Sequence, residues 1–189
     1  MPRLAPLTPD QLTDDQRDLY DRINGRDAGS RLAPDGSLIG PFDAFLRNPN
    51  TGHKMLDLGA AMRFKSTLPR PAIEVAILCV GRKWEAEFEW YAHVKLAREV
   101  GVAEHVIQSI LDQDVPDFDD DIQAAVYHAT QEILTNRQLS NRAYATLKEL
   151  VGEEGLLDLF TLVGYYMTIS TILNGFRVPL PDGAQTAFD

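Results

Sequence analysis

The sequence holds one cysteine, Cys79, and four histidines in 189 residues. A single thiol excludes an intramolecular disulfide and a cysteine-rich zinc site. Cys79 has no second cysteine three residues away, so the Cys-x-x-Cys redox device is absent too. Such sparing use of cysteine points to a reducing compartment, the cytoplasm. Basic residues are also scarce. Lys and Arg number 18 against 28 Asp and Glu, a net charge of −10, with an isoelectric point near 4.8. This balance excludes nucleic acid as a partner, because its phosphates demand clustered Lys and Arg. It equally disfavours an anionic membrane surface. No unbroken apolar run reaches about 18 residues, so no membrane span is expected. Met1-Pro2-Arg3-Leu4 does not open a secretory signal. The glycines between Gly25 and Gly40 precede no Lys-Ser/Thr pair, so no phosphate loop is present.

What remains is an ordinary globular composition, 44% hydrophobic and 24% charged, in a chain of single-domain size. The patterning is helical throughout. Thr8-Pro9-Asp10 and Thr13-Asp14-Asp15 are helix-start signals for a short helix ending near Asn24. Gly25 to Gly40 reads as a loop. Pro41 to Leu46 predicts a short apolar helix, and Asn48-Pro49 restarts the chain into a helix reaching Phe64. The run Ala72 to Val80 is apolar nearly all round, so its period cannot separate strand from helix. Its helical neighbours, and the lack of any strand to pair with it, favour helix. Further helices are expected over Glu85–Val100 before Gly101, Val102–Leu111, Ile122–Leu134, Ser140–Val151 and Glu153–Leu173, with a tail from Asn174. The six aspartates between Asp112 and Asp121 read as a solvated loop that caps the next helix. The fold class is therefore all-α, a helical bundle of about eight helices in one domain.

Chemistry concentrates in Glu85 to Ala97. On a helix His93 neighbours Glu89 at i−4 and Trp90 at i−3, and the stripe Ala86, Trp90, His93, Ala97, Val100 is otherwise apolar. A carboxylate one turn away raises a histidine's pKa and burial lowers it, so the pair is suited to acid–base work near neutral pH. A satisfied core histidine is the competing reading. Glu74 is the only ionisable group between Ala72 and Val80. It is either a buried carboxylate that needs a partner or a first-turn Glu pointing to solvent behind Pro71. A metal at Glu89 and His93 has no support from a second His pair or a His-Glu-x-x-His motif. Cys79 reads as a buried, inert side chain. Tyr165, Tyr166 and Asn174 read as packing and capping groups, and His53, His105 and His128 are assigned nothing.

These residues give the chain a family likeness. Gly40-Pro41-Phe42, Leu46-x-x-Pro49, Leu68-Pro69, Glu89-Trp90-x-x-His93 with Ala97 and Gly101, and the later Gly164-Tyr165-Tyr166 and Asn174 resemble the carboxymuconolactone decarboxylase family. That family shares its fold with the AhpD-type alkylhydroperoxidases. The resemblance spans about residues 40–181, leaving 1–39 as an N-terminal helix-and-loop extension and 182–189 as a tail. It implies a small-molecule substrate, no cofactor, no metal, and a homo-oligomer, trimer or hexamer. In the peroxidase branch two cysteines precede the histidine by seven and four residues. Ala86 and Glu89 stand there in this chain, so thiol chemistry is disfavoured. Glu74 and His93 occupy the Glu and His positions.

The decarboxylase branch implies a cofactor-independent lyase acting on a small carboxylated lactone from aromatic catabolism. In that scheme His93 protonates the intermediate, Glu89 orients and recharges it, Glu74 completes the relay, and Trp90 walls the site. Arg63, Arg70 and Arg82 are the candidate contacts for a substrate carboxylate. The alternatives are a peroxide-handling protein of the same fold, relying on Cys79 alone, and a non-catalytic ligand-binding oligomer. The last expects Glu74, Glu89 and His93 to be exposed or separately paired.

Overall fold

The computed structural model describes residues 1–25 and 31–188. Among these, eight α-helices form the molecule: α1 (Asp14–Asn24), α2 (Pro41–Phe45), α3 (Pro49–Phe64), α4 (Arg70–Lys83), α5 (Glu87–Glu99), α6 (Glu104–Asp112), α7 (Asp121–Asn136) and α8 (Asn141–Phe176). The only extended pairing among the described residues is an isolated bridge between Leu32 and Leu38. That bridge lies in the expected Gly25–Gly40 loop, whose residues 26–30 fall outside the described set.

The ambiguous run 72–80 is helix. α4 starts at Arg70 with Pro71 in its first turn, where a missing N–H costs nothing, and ends on Arg82 and Lys83. Every residue from Ala72 to Gly81 is buried, because α5, α6, α7 and α8 all pack around this helix. Encirclement is the physical reason that its pattern has no polar face. Side-chain caps start several of the others. Thr13 forms a capping box with Gln16, Asp120 accepts from the Gln123 N–H, and Ser140 accepts from the Ala143 N–H.

Several boundaries differ from the sequence reading, among them the start of α6 at Glu104 and the end of α7 at Asn136. The N-terminal helix is split: a 3₁₀ turn, Pro9–Gln11, precedes α1, because each of Thr8 and Thr13 opens its own capping box. α5 begins two residues late, since Glu85 has φ +48° and Ala86 is extended. α8 continues through Asn174 to Phe176 and stops where Arg177 turns left-handed. Gly152, with φ +70° and ψ −174°, breaks α8 where the sequence divided it.

α8 also corrects the membrane expectation in one respect. By length and composition it is apolar enough to cross a bilayer, with mean hydropathy 1.5, and half of that stretch is buried inside the protein. Tyr, Thr, Ser and Gly interrupt the run, but its Leu, Ile, Val, Phe and Met keep the average high, so the stretch is apolar without being unbroken. Its buried face, Leu156, Leu159, Leu162, Val163, Tyr166 and Ile169, joins the main core with Ile73 and Ile77 of α4.

A second apolar cluster gathers Val75, Leu78, Cys79, Trp90, Ala97, Val106, Ile107 and Tyr127. The C-terminal segment straps onto it. Both oxygens of Glu87 accept backbone N–H groups, from Ala187 (2.8 Å) and Phe188 (3.0 Å). The Phe188 ring packs edge-on to Trp90.

One glycine fixes the position of α5. Gly40 (φ +66°) starts α2 with its backbone pressed against the Phe88 ring. Gly40→Ala combines a left-handed residue with a clash inside the core. It is expected to destabilise the fold by about 2–4 kcal/mol, read as a shift in the urea midpoint at unchanged slope.

Candidate active site

α4 and α5 bring three ionisable side chains together in the interior. Glu74 is fully buried, Glu89 is 3% exposed and His93 is 6% exposed. Nδ1 of His93 lies 2.6 Å from Oε2 of Glu74. Nε2 lies 3.0 Å from Oε1 of Glu89, but without hydrogen-bond alignment, so that oxygen makes no hydrogen bond. Oε1 of Glu74 is likewise buried without a hydrogen bond. Arg70, one turn before Glu74, brings Nη2 to 3.7 Å from that oxygen.

The solvent-facing alternative for Glu74 is therefore gone. The three groups are neither exposed nor separately paired, and His93 is satisfied in the interior by Glu74. Glu74 and His93 are nineteen residues apart, and crossing helices close that gap. The division of roles shifts as well. Glu74 makes the short contact that holds the imidazole, whereas Glu89 stands beside the other nitrogen.

Burial opposes charge on His93. The charges of Glu74 and Glu89 outweigh it and raise the pKa from 6.5 to about 9. The neighbouring Glu74 and Glu89 thus favour the charged form of the ring.

The ring against His93 is Tyr166, edge-on at 5.1 Å between centroids, and Tyr165 packs edge-on to Tyr166 at 5.2 Å. Burial, reinforced by the Glu89 charge, pushes both phenols well above their ordinary value, so both remain O–H groups. The hydroxyl of Tyr165 sits over Gly59 of α3, where a Cβ would collide with it. Trp90, expected to wall the site, belongs instead to the second apolar cluster with Phe188. It sits at the correct helical angle, but Tyr166 is the aromatic group packed on His93.

Sequence spacing did not find Tyr166. It lies 73 residues beyond His93, on a helix apolar on several faces, so no local pattern marks it. Asn174 does act as a cap, donating to the Trp84 carbonyl at the end of α4 (2.6 Å).

Cys79 is buried in the second cluster, and burial pushes its thiol up to about 12. Ala86 and Glu89 stand at the two thiol positions of the peroxidase pattern. A groove of about 560 Å³ between α7 and α8 is lined by residues such as His128, Glu132 and Arg142 and by none of the three clustered groups.

No protein-family model matches the chain, and no curated protein matches it. Solved structures do. A peroxidase-related protein of Ralstonia eutropha JMP134, described as an alkylhydroperoxidase AhpD core, superposes with TM-score 0.75 at 14% identity, covering 96% of this chain and 93% of that one. A peroxidase-related protein of Silicibacter sp. TM1040 gives 0.74 at 11% identity, covering 96% and 92%. An Agrobacterium tumefaciens protein of unknown function, described as a candidate antioxidant defence protein AhpD, gives 0.64 at 18% identity, covering 73% and 95%.

The fold is AhpD-like. At these identities the likeness concerns the fold, as the resemblance to the carboxymuconolactone decarboxylase family implied. Chemistry on an AhpD-like frame has to be argued from the side chains it carries.

Proposed function

We propose that the chain is a cofactor-independent acid–base enzyme of the carboxymuconolactone decarboxylase type, acting on a small carboxylated lactone or a related intermediate of aromatic catabolism. One observation carries the reading: a buried imidazole lies between two buried acidic side chains, with Nδ1 2.6 Å from Glu74 and Nε2 3.0 Å from Glu89. Loss of CO₂ breaks the carbon–carboxylate bond and leaves its electron pair conjugated with the lactone carbonyl. The intermediate then needs a proton at carbon and a site that stabilises charge. Nδ1–H stays with Glu74, which fixes the ring. Nε2–H is the proton to give, and Glu89 lies beside it to return one from solvent. Tyr166 shields the ring from water.

The same reading takes the assembly to be a homo-oligomer, trimer or hexamer, in a reducing cytoplasm. Exposed Leu157 and Phe160, one turn apart on α8, suit a contact between copies.

The test is CO₂ release from a lactone acid by the full-length chain without added cofactor, in D₂O. Turnover with one deuterium bound to carbon in the product is expected.

The descriptions of the structural neighbours favour a second reading, peroxide handling. The chain offers it only Cys79, buried and held as a thiol at neutral pH. Peroxide consumption that stops when Cys79 is alkylated, with no CO₂ release, replaces the first reading by the second. Cys79 that labels only after unfolding, together with CO₂ release, removes the second.

A further inference from the structure

The protein carries a net charge of −10, and a carboxylated substrate must still reach a site containing two carboxylates. We propose that Arg63 and Arg70, at the corner between α3 and α4, form the clamp that binds the substrate carboxylate beside Glu74. The proposal rests on the acid–base reading above and adds to it the residues that select the ligand.

The corner is built for an acceptor it does not contain. Arg63 closes α3 and Arg70 opens α4, and both guanidinium groups lie against the ring of Phe64, at 5.1 and 5.6 Å from its centroid. Phe64 is 61% exposed, so the corner opens to solvent. The Nε atoms of both arginines are nonetheless shielded from water and lack any acceptor. A buried donor left unpaired is costly, and an arriving carboxylate removes that cost. Arg70 spends Nη1 on the Arg63 carbonyl (3.1 Å). Its Nη2 stands 3.7 Å from the unpaired Oε1 of Glu74, too far for a hydrogen bond. The fork of a guanidinium fits a carboxylate through two parallel N–H groups.

Arg63 also exerts its field on Tyr165 and Tyr166, and so reaches the aromatic side of the His93 site. Arg31, which also acts on Tyr165, is engaged elsewhere, stacked on Phe42 and bonded to the Ile23 carbonyl.

The third candidate drops out on the same grounds. Arg82 gives Nε to the Leu111 carbonyl (2.7 Å), approaches Glu85 at 3.6 Å and stacks on Phe188. All of its reach is spent at the other end of α4.

The donor geometry sets the ligand class: the free edge of the Arg70 guanidinium fits a carboxylate, and Arg63 stands beside it. The arginine pair is a local inversion of an acidic protein, the arrangement that draws an anion to one spot.

The experiment is calorimetric titration of the full-length protein at pH 7 with furan-2-carboxylate, a small ring acid, and with its uncharged amide. Wild type is compared with Arg63→Gln, Arg70→Gln, Arg70→Lys and Arg82→Gln, each checked for folding by thermal melting. The acid is expected to bind at least about tenfold tighter than the amide, and each Gln variant to lose about tenfold or more. Arg70→Lys should recover part of the loss, and Arg82→Gln should match wild type. The acid should also move the imidazole NMR signals of His93.

Equal affinity for acid and amide overturns the clamp, as does no binding of the acid or wild-type affinity in both folded Gln variants. Should Arg70→Gln fail to fold, Arg63→Gln and the acid-to-amide ratio decide the matter. Acid binding through Arg70 without CO₂ release leaves the clamp standing and removes the decarboxylase. CO₂ release with unchanged KM in Arg70→Gln does the reverse.

Discussion

His93→Ala is expected to destabilise the protein by about 3–5 kcal/mol, the range seen when one member of a buried ionic set is removed. The cause lies in what stays behind. Glu74 is fully buried and Glu89 nearly so, and among the described residues His93 is the basic group that comes within about 3 Å of both. Arg70, at 3.7 Å, reaches only one of them. One carboxyl must take up a proton or both must be solvated. A variant with all three replaced by leucine removes the charges together and is expected near wild-type stability or above it. Urea unfolding at pH 7 reads the contrast. A His93→Ala midpoint within 1 kcal/mol of wild type would sink the account of the cluster as a charge-balanced unit. In the CO₂-release assay the same variant is expected to lose about 100- to 10,000-fold in turnover, the usual share of a positioned proton donor.

Stability should also fall as the solution becomes alkaline, and His93 sets the window. Its pKa is 6.5 when exposed and about 9 in the fold. Below 6.5 both folded and unfolded chains hold the proton, and the stabilisation is complete. Between 6.5 and 9 the unfolded chain has released the proton while the folded chain keeps it, so stability declines with rising pH. Above 9 the contribution is gone. That contribution is of the order of a few kcal/mol. Unfolding midpoints taken from pH 6 to pH 10 measure it, with the variant carrying leucine at Glu74, Glu89 and His93 as the reference that lacks the whole ionisable set. Parallel curves for the two proteins would refute the assignment.

Much of this was legible in the chain itself. Punctuation gave the helices: Pro49 and Pro71 at their starts, Ser140 and Asp120 as caps, Gly152 as a break. Glu74, Glu89 and His93 stood out because an ionisable group on an apolar stripe must find a partner when buried. The pairing of Glu74 with His93 was implied by family likeness and not by spacing, since helix crossing angles leave no local mark. Trp90 was misplaced for a related reason. Spacing along α5 fixes its angle around the axis, but two apolar clusters flank that helix and the angle does not choose between them. Tyr166 was hidden on a helix with too many apolar faces, and Arg63, Arg70 and Arg82 stood as equal candidates in the sequence, because nothing local marks which Nε atoms lack an acceptor. The first five residues after Gly25 remain outside the described structure, so the expected loop is traced only from residue 31.

The break at Gly152 bears on how the chain tolerates changes in length. An added residue turns everything downstream in a continuous helix by about 100°. Inserted between Arg70 and Glu74, it would swing one away from the other and take the site apart. Next to Gly152 the backbone already leaves the helical path, and a joint of that kind can absorb an extra residue without rotating Tyr166 relative to His93. Natural variation in length along α8 is therefore expected to collect at this glycine and before it, leaving the stretch from Glu153 to Phe176 constant in register.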